Sequence, residues 1–133
     1  MNTAANATAI GNAMVAASQA GDLEAVLALH HPNLEIFEAT SLPYGGVWNG
    51  LQGFRDLLAA IGELADLAIT GHTVHETATG MVLVMELRFT SRKTGKVFDT
   101  SIAEVDRLED GKVREIDVFY KDTKALVDFL AAN

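Results

Sequence analysis

The spacing of hydrophobic residues along the chain changes period several times. Ile10, Met14 and Ala17 recur at helical spacing, which predicts a first helix from about 8 to 20. Gly21 can close that helix and Asp22 can cap the next. A second helix is predicted over about 23–30, with Leu23, Val26, Leu27 and His30 on one side and Pro32 ending it. Residues 33–38 (NLEIFE) switch to a two-residue alternation. Leu34, Ile36 and Glu38 share one face of a predicted strand, Glu35 and Phe37 the other. The stretch 39–50 carries Pro43, Gly45, Gly46 and Gly50 and reads as a loop. Phe54, Leu57, Leu58, Ile61 and Leu64 then form a regular helical stripe over 51–64. Four strand-like runs follow, at 67–78, 81–90, 96–108 and 112–120, broken at Thr79-Gly80, Thr94-Gly95 and Asp110-Gly111. Glycine turns this short predict an antiparallel meander. Asp122 can cap a last helix bearing Leu126, Val127, Phe129 and Leu130.

Helices, one strand, a helix, four strands and a helix make an α+β pattern. Long antiparallel strands curl. A curled sheet with helices across its concave side is a cone that can hold a cavity. The 133 residues fit one domain, and an apolar content of 49% is enough for its core.

Charge and composition narrow the partners. With 18 acidic and 10 basic residues the net charge is −8, and the basic residues are scattered. That excludes a phosphate backbone as the expected partner and disfavours anionic membranes. No cysteine is present, so disulfides, thiolate nucleophiles and Cys-based metal sites are excluded. Residues 1–8 are polar and alanine-rich with no basic residue, unlike a secretory leader, and no apolar run approaches a membrane span. A cytoplasmic location is the expectation. The four histidines lack H-x-H or HExxH spacing, and no Gly-rich nucleotide fingerprint occurs, so no metal and no cofactor is expected.

Candidate chemistry rests on carboxylates. Glu38 ends its strand on the face of Leu34 and Ile36; if that face is the core, burial raises its pKa and makes it a base near neutrality. If it lies at the mouth, it is merely solvated. Glu104 and Asp106 share a strand face with Ile102 and Leu108. They either enter the interior, where two close carboxyls can share a proton, or form an outer face paired with Arg88, Arg107 or Arg114. Ile116, Val118 and Tyr120 form the inner side of the last strand, with Tyr120 expected to pack rather than react. Tyr44 and Trp48 belong to a glycine-containing loop just after Glu38, which either covers the pocket mouth or packs as a compact loop or subunit contact. Strand 81–90 is substantially apolar on both faces, which predicts a second subunit against the sheet.

The segments AGDLEAVLALHHPNLEIFE, SLPYGGVWNGLQGFRDLL, VDRLEDGKVREIDVFY and KDTKALVDFL, in that order, resemble the nuclear transport factor 2-like superfamily in its SnoaL-like and ketosteroid-isomerase-like branch. The resemblance covers nearly the whole chain and implies a cystatin-like cone, a curved antiparallel sheet wrapped around N-terminal helices with an internal pocket. It implies that Glu38 stands where the family has the carboxylate that removes a proton beside a carbonyl, and Glu104 where a protonated acid donates to the substrate oxygen. It places Met14 where the isomerases carry a tyrosine donor on the first helix, so half of that oxyanion hole is missing and steroid isomerisation is not expected. A limonene-epoxide-hydrolase-like site would need an arginine between two acids, and none is placed there. Met14, Tyr44, Trp48, Phe54, Asp106, Ile116, Val118 and Tyr120 are the expected lining. The expected function is cofactor-independent acid–base isomerisation, cyclisation or dehydration of a small apolar carbonyl compound. The alternatives are a non-catalytic binding module for an apolar ligand and a dimeric adaptor using the outer sheet face.

Overall fold

The computed structural model describes residues 3–133. Helix α1 (Thr3–Gln19) is followed by α2 (Leu23–Ala28), strand β1 (His30–Glu38), strand β2 (Gly46–Asn49) and α3 (Gly50–Leu64). Strands β3 (Ala65–Glu76), β4 (Gly80–Ser91), β5 (Val97–Glu109) and β6 (Lys112–Tyr120) come next, and α4 (Thr123–Ala132) closes the chain. The six strands form one curved, unclosed sheet in the order β2-β1-β6-β5-β4-β3. The meander β3 to β6 is antiparallel throughout, as the glycine turns predict. Helix α1 packs on β3 and β4, and α3 reaches from β1 and β2 to β3, so both cover the concave face.

Two-residue alternation decides what faces inward. Met81, Leu83, Met85, Leu87 and Phe89 of β4 are all buried, whereas Glu86 and Arg88 between them are exposed. Leu34 and Ile36 of β1 are buried on the same concave side. The buried stripe of α1 runs through Ala7, Ile10, Gly11, Met14 and Val15, a spacing of three and four residues; Ala17 is only partly covered. Asp22 and Asp122 cap α2 and α4 by accepting the N–H groups of Ala25 (3.1 Å) and Ala125 (2.9 Å).

Three expectations are corrected. The second helix stops at Ala28, and Pro32 lies inside β1 instead of ending a helix. Proline is tolerated there because the β1–β6 register shifts between His30 and Glu35, leaving a bulge that needs no ladder donor. The glycine-rich stretch contains a strand: β2 pairs antiparallel with β1, setting Val47 opposite Phe37 and Trp48 opposite Ile36. It is short, sits at the sheet edge and is bracketed by glycines, so its composition resembles a loop. Finally, β1 joins the sheet by parallel pairing with β6, with Ile36 opposite Ile116 and Phe37 opposite Asp117.

Gly80 is the glycine with the least room for a side chain. A Cβ there would lie 2.0 Å from the backbone oxygen of Asp106, and backbone cannot give way as a side chain can. Gly80→Ala should therefore destabilise the protein by ~2 kcal/mol or more, in the range of other overpacked sites, read as a lowered denaturation midpoint. Gly62→Ala, where the added methyl meets open space, should not destabilise it and serves as the control.

Candidate functional site

The concave face and the helices enclose a cavity of about 130 Å³. Its wall is mainly apolar: Met14 and Val15 come from α1, Phe54 and Leu57 from α3, Leu83 and Met85 from β4. Polar groups enter from Glu38, Tyr44, Glu104, Tyr120 and Ser18. Of the residues expected at the pocket, Met14, Glu38, Tyr44, Phe54, Glu104, Ile116, Val118 and Tyr120 all line this cavity. Trp48 and Asp106 do not. Trp48 lies on edge strand β2 against the start of α3, where Gly53 sits over its backbone, and its indole N–H donates to the Tyr44 carbonyl (3.0 Å). Asp106 shares the inward face of β5 but lies two residues beyond Glu104, between Met81 and Ile116, in filled core.

Sheet pairing places the two acids. Glu104 lies opposite Leu83 on β4 and Val118 on β6. Glu38 follows the Phe37–Asp117 pair on β1, which puts it beside Val118 from the other side. The backbones of Glu38 and Glu104 are therefore two strands apart, about 10 Å at normal strand spacing. Both side chains face the same cavity.

Glu38 belongs to a hydrogen-bond chain. Tyr120 Oη donates to Glu38 Oε1 at 2.6 Å, and Tyr120 Oη lies 3.0 Å from Tyr44 Oη. A phenol has one proton, so with Tyr120 committed to the carboxylate, Tyr44 is the donor to Tyr120. Burial pushes the Glu38 pKa up to about 7, and the Tyr120 hydrogen bond holds it partly back. Burial also drives both tyrosines upward, with the Glu38 charge adding to it, so they remain phenols. The chain leaves Glu38 Oε2 free of that hydrogen bond.

Glu104 is in a different state. Its pKa is raised well above the ordinary carboxyl range by burial first, then by the charges of Asp106 and Glu38. Among the described residues its Oε1 has no hydrogen-bond partner, and neither oxygen of Asp106 has one. An ionised carboxylate so placed would be uncompensated. Burial lifts Asp106 to about 8. The arginines that could have paired with these acids are engaged elsewhere, Arg88 with Asp99 and Arg114 with Glu35, while Arg107 lies near Glu109 and Glu115. Near neutral pH the cavity therefore offers one carboxyl close to half-ionised, Glu38, and one held as the neutral acid, Glu104.

Two of the histidines have structural partners. His30, expected on the second helix, begins β1 and is buried. Its ring meets Phe54 edge-on at 4.8 Å, and its Nδ1–H donates to the Val26 carbonyl (2.7 Å). Burial lowers its pKa to about 4, so it is neutral. His31, Glu109 and Asp110 bring three potential ligand atoms together. His31 Nδ1 accepts the N–H of Asn33 (3.0 Å), which puts the neutral ring's proton on Nε2, 3.3 Å from Glu109. That nitrogen is a donor to the carboxylate and has no free lone pair for a cation.

With this geometry in view, the comparisons with known proteins are consistent. A family model for the SnoaL-like domain matches residues 12–116, and the chain belongs to that family. Among solved structures it is similar to TerC, crystallised with polyporic acid (19% identity, TM-score 0.85, 95% of this chain and 98% of TerC). It is similar to a candidate polyketide cyclase from Xanthomonas campestris (15% identity, TM-score 0.83, 96% and 98%). An NTF2-like protein from Burkholderia thailandensis reaches 25% identity with a TM-score of 0.81 over 95% and 96%. No curated protein matches the sequence. Among the described residues no helix is long and apolar enough to cross a membrane.

The buried carboxyls make stability pH-dependent in an unusual direction. Asp106 and Glu38 have folded pKa values above those of free carboxyls, so the native state holds extra protons, and stability falls as pH rises towards 7–8. His30 acts oppositely but only below about 6.5, between its free value and its folded value of about 4. Between pH 6.5 and 8 the carboxyls act alone. Unfolding free energy should drop over that window by on the order of 2–4 kcal/mol, measured by urea denaturation. Asp106→Asn should flatten the slope.

Proposed function

We propose that this chain is a cofactor-independent acid–base enzyme acting on a small apolar carbonyl compound, with Glu38 as base and Glu104 as hydrogen-bond donor to the carbonyl oxygen. The observation that carries this reading is that the two carboxyls face one apolar cavity in different surroundings, Glu38 with a Tyr120 hydrogen bond that leaves it near neutrality and Glu104 with a buried, unpartnered oxygen that raises it well above. Proton transfer is most efficient when the base has a pKa near the working pH. A neutral acid in an apolar site stabilises an oxygen on which negative charge grows.

The reaction needs nothing further. Glu38 takes a proton from the carbon beside the carbonyl. The C–H electrons form a carbon–carbon double bond, and the carbonyl electrons move to oxygen, where the Glu104 proton meets them. In a β,γ-unsaturated ketone the enolate is conjugated with the second double bond, so the γ carbon takes the proton back from Glu38 as the carbonyl re-forms, completing an isomerisation; in a dicarbonyl compound the enolate carbon attacks the second carbonyl, whose alkoxide takes the proton from Glu38, completing a cyclisation. Tyr120 positions Glu38 and tunes its basicity. Met14 lines the cavity but cannot donate, so Glu104 is the principal oxygen-stabilising donor in this scheme. The likeness to TerC and to the candidate cyclase supports a small-molecule role and does not specify the substrate.

A second copy against the convex face also belongs to this reading. Val82 pairs with Val105, Val84 with Ala103, and Ala103 with Phe119, giving an apolar strip across three strands. Val105 and Phe119 are 44% and 54% exposed, more than a lone domain gains from displaying. Sedimentation should give a homodimer, and Val105→Glu should give a folded monomer; a wild-type monomer at ~100 μM, well above the dissociation constant expected of a stable interface, removes this part.

The catalytic reading is tested at Glu38. In a panel of apolar ketones and 1,3-dicarbonyl compounds, wild-type protein should catalyse α-proton exchange into deuterated buffer. Rates should rise with pH through a midpoint near 7, because only ionised Glu38 accepts a proton. Glu38→Gln should lose ~10²-fold or more, the usual contribution of a general base, while ligand binding persists. Tyr120→Phe removes the hydrogen bond that favours the ionised form, so its midpoint should move upward. Full exchange by Glu38→Gln would sink the assignment and leave a binding module.

A further inference from the structure

The inner cavity does not end at its own wall. It adjoins an open vestibule of about 500 Å³ between the end of α1, α2, the second half of α3 and the start of β3. The two spaces share lining residues from four elements, Ser18 of α1, Val26 of α2, Phe54, Leu58 and Ile61 of α3, and Leu67 and Ile69 of β3. The inner cavity, about 130 Å³, is close to the ~150 Å³ that accepts one benzene ring. A ligand larger than one ring must extend outward.

The vestibule has the surface for such an extension. Leu23 of α2, Leu58 of α3 and Leu67 of β3 are 36%, 37% and 39% exposed, and all three line it. Scattered exposed leucines need no explanation, but three from three separate elements converging at the mouth of an apolar cavity form a binding groove. The charged groups of the vestibule are Asp22, Asp66 and Arg92. Arg92 is already paired with Asp66 at 2.7 Å, and Asp22 caps α2, so no unpaired cation awaits an anion. The excess charge at the rim is negative, as it is over the whole chain, at −8.

We propose that the vestibule is the outer half of the ligand site, and that the ligand is an elongated, uncharged carbonyl compound whose apolar tail lies over Leu23, Leu58 and Leu67. This rests on the pocket reading above, since the carbonyl end lies between Glu38 and Glu104. It adds a length and a charge to the substrate class. Carboxylates of the same shape are rejected by the acidic rim and by Glu38 inside.

Calorimetric titration with acetophenone, 4-butylacetophenone, 4-hexylacetophenone and 4-hexylbenzoate tests it without requiring turnover. Each methylene laid on apolar surface is worth up to ~3-fold in affinity, so the hexyl ketone should bind at least ~30-fold more tightly than acetophenone. Leu23 lines only the vestibule, and a glutamate at the first turn of α2 suits the helix dipole. Leu23→Glu should weaken the hexyl ketone ~10-fold while leaving acetophenone unchanged. The benzoate should bind at least ~10-fold more weakly than the matching ketone, and Asp66→Asn, which releases Arg92, should narrow that gap. Affinity that does not grow with tail length, a hexyl ketone indifferent to Leu23→Glu, or a benzoate binding as well as the ketone would overturn the proposal and leave the inner site standing. If acetophenone and its longer homologues all fail to bind, the pocket reading falls with it.

Discussion

The parallel pairing of β1 with β6 is the constraint on which the site depends. The meander β3 to β6 is a local structure, each strand joined to the next by a short glycine turn. It carries Glu104 and Tyr120 but not Glu38. Only when β1, some eighty residues earlier, lies beside β6 in register does Glu38 come to Val118 and within 2.6 Å of the Tyr120 hydroxyl. The bulge around Pro32 sets that register, because alternation then runs through Leu34, Ile36 and Glu38 on one face. A one-residue slip would send Glu38 to the convex side and Phe37 into the cavity. The long-range pairing and the chemistry are thus one feature.

Burial then makes two similar side chains different. Glu38 is partly buried and receives a phenolic hydrogen bond, which favours its charged form; Glu104 lines the cavity among apolar neighbours, with one oxygen buried and unpartnered and acidic groups nearby. The first is left close to neutrality, the second far above it. Among the described residues, no cation lines the cavity to balance either group. The same feature that makes the pair chemically useful makes it a liability for folding, because protons held by the native state must be kept against solvent as pH rises.

Much of this was legible in the chain. The alternation of residues 33–38 and 112–120 grouped the side chains that face inward, because burial on one side of a strand leaves a period of two; residues 81–90 are apolar on both faces, and there alternation left the inner face open. It put Glu38 with Leu34 and Ile36, and Glu104 with Ile102, before any pairing was known. What failed has physical reasons. Strand β2 is too short and too glycine-flanked to show a period, and only its ladder with β1 makes it a strand. Pro32 stops helices in most contexts, and its accommodation depends on a bulge formed with a distant strand. Trp48 faces the concave side but is screened from the cavity by α3, a matter of depth that alternation cannot report. The vestibule was invisible for the same reason: Leu23, Leu58 and Leu67 read as ordinary stripe or strand positions until three elements bring them together.

Asp106 shows how far the cavity's electrostatics extend beyond its wall. It touches the site only through the field it would create if ionised, and that field raises Glu104. Each of the two carboxyls makes ionisation of the other more costly, so the proton on Glu104 is secured by a neighbour in addition to the apolar lining. A hydrophobic residue at 106 would fill the same core space between Met81 and Ile116 without an unpartnered oxygen, at a gain in stability. It would also remove one of the influences that keep Glu104 neutral when Glu38 is charged. The position of Asp106 therefore joins a cost in the core to a protonation state in the cavity, and the two cannot be changed separately by substitution at that residue.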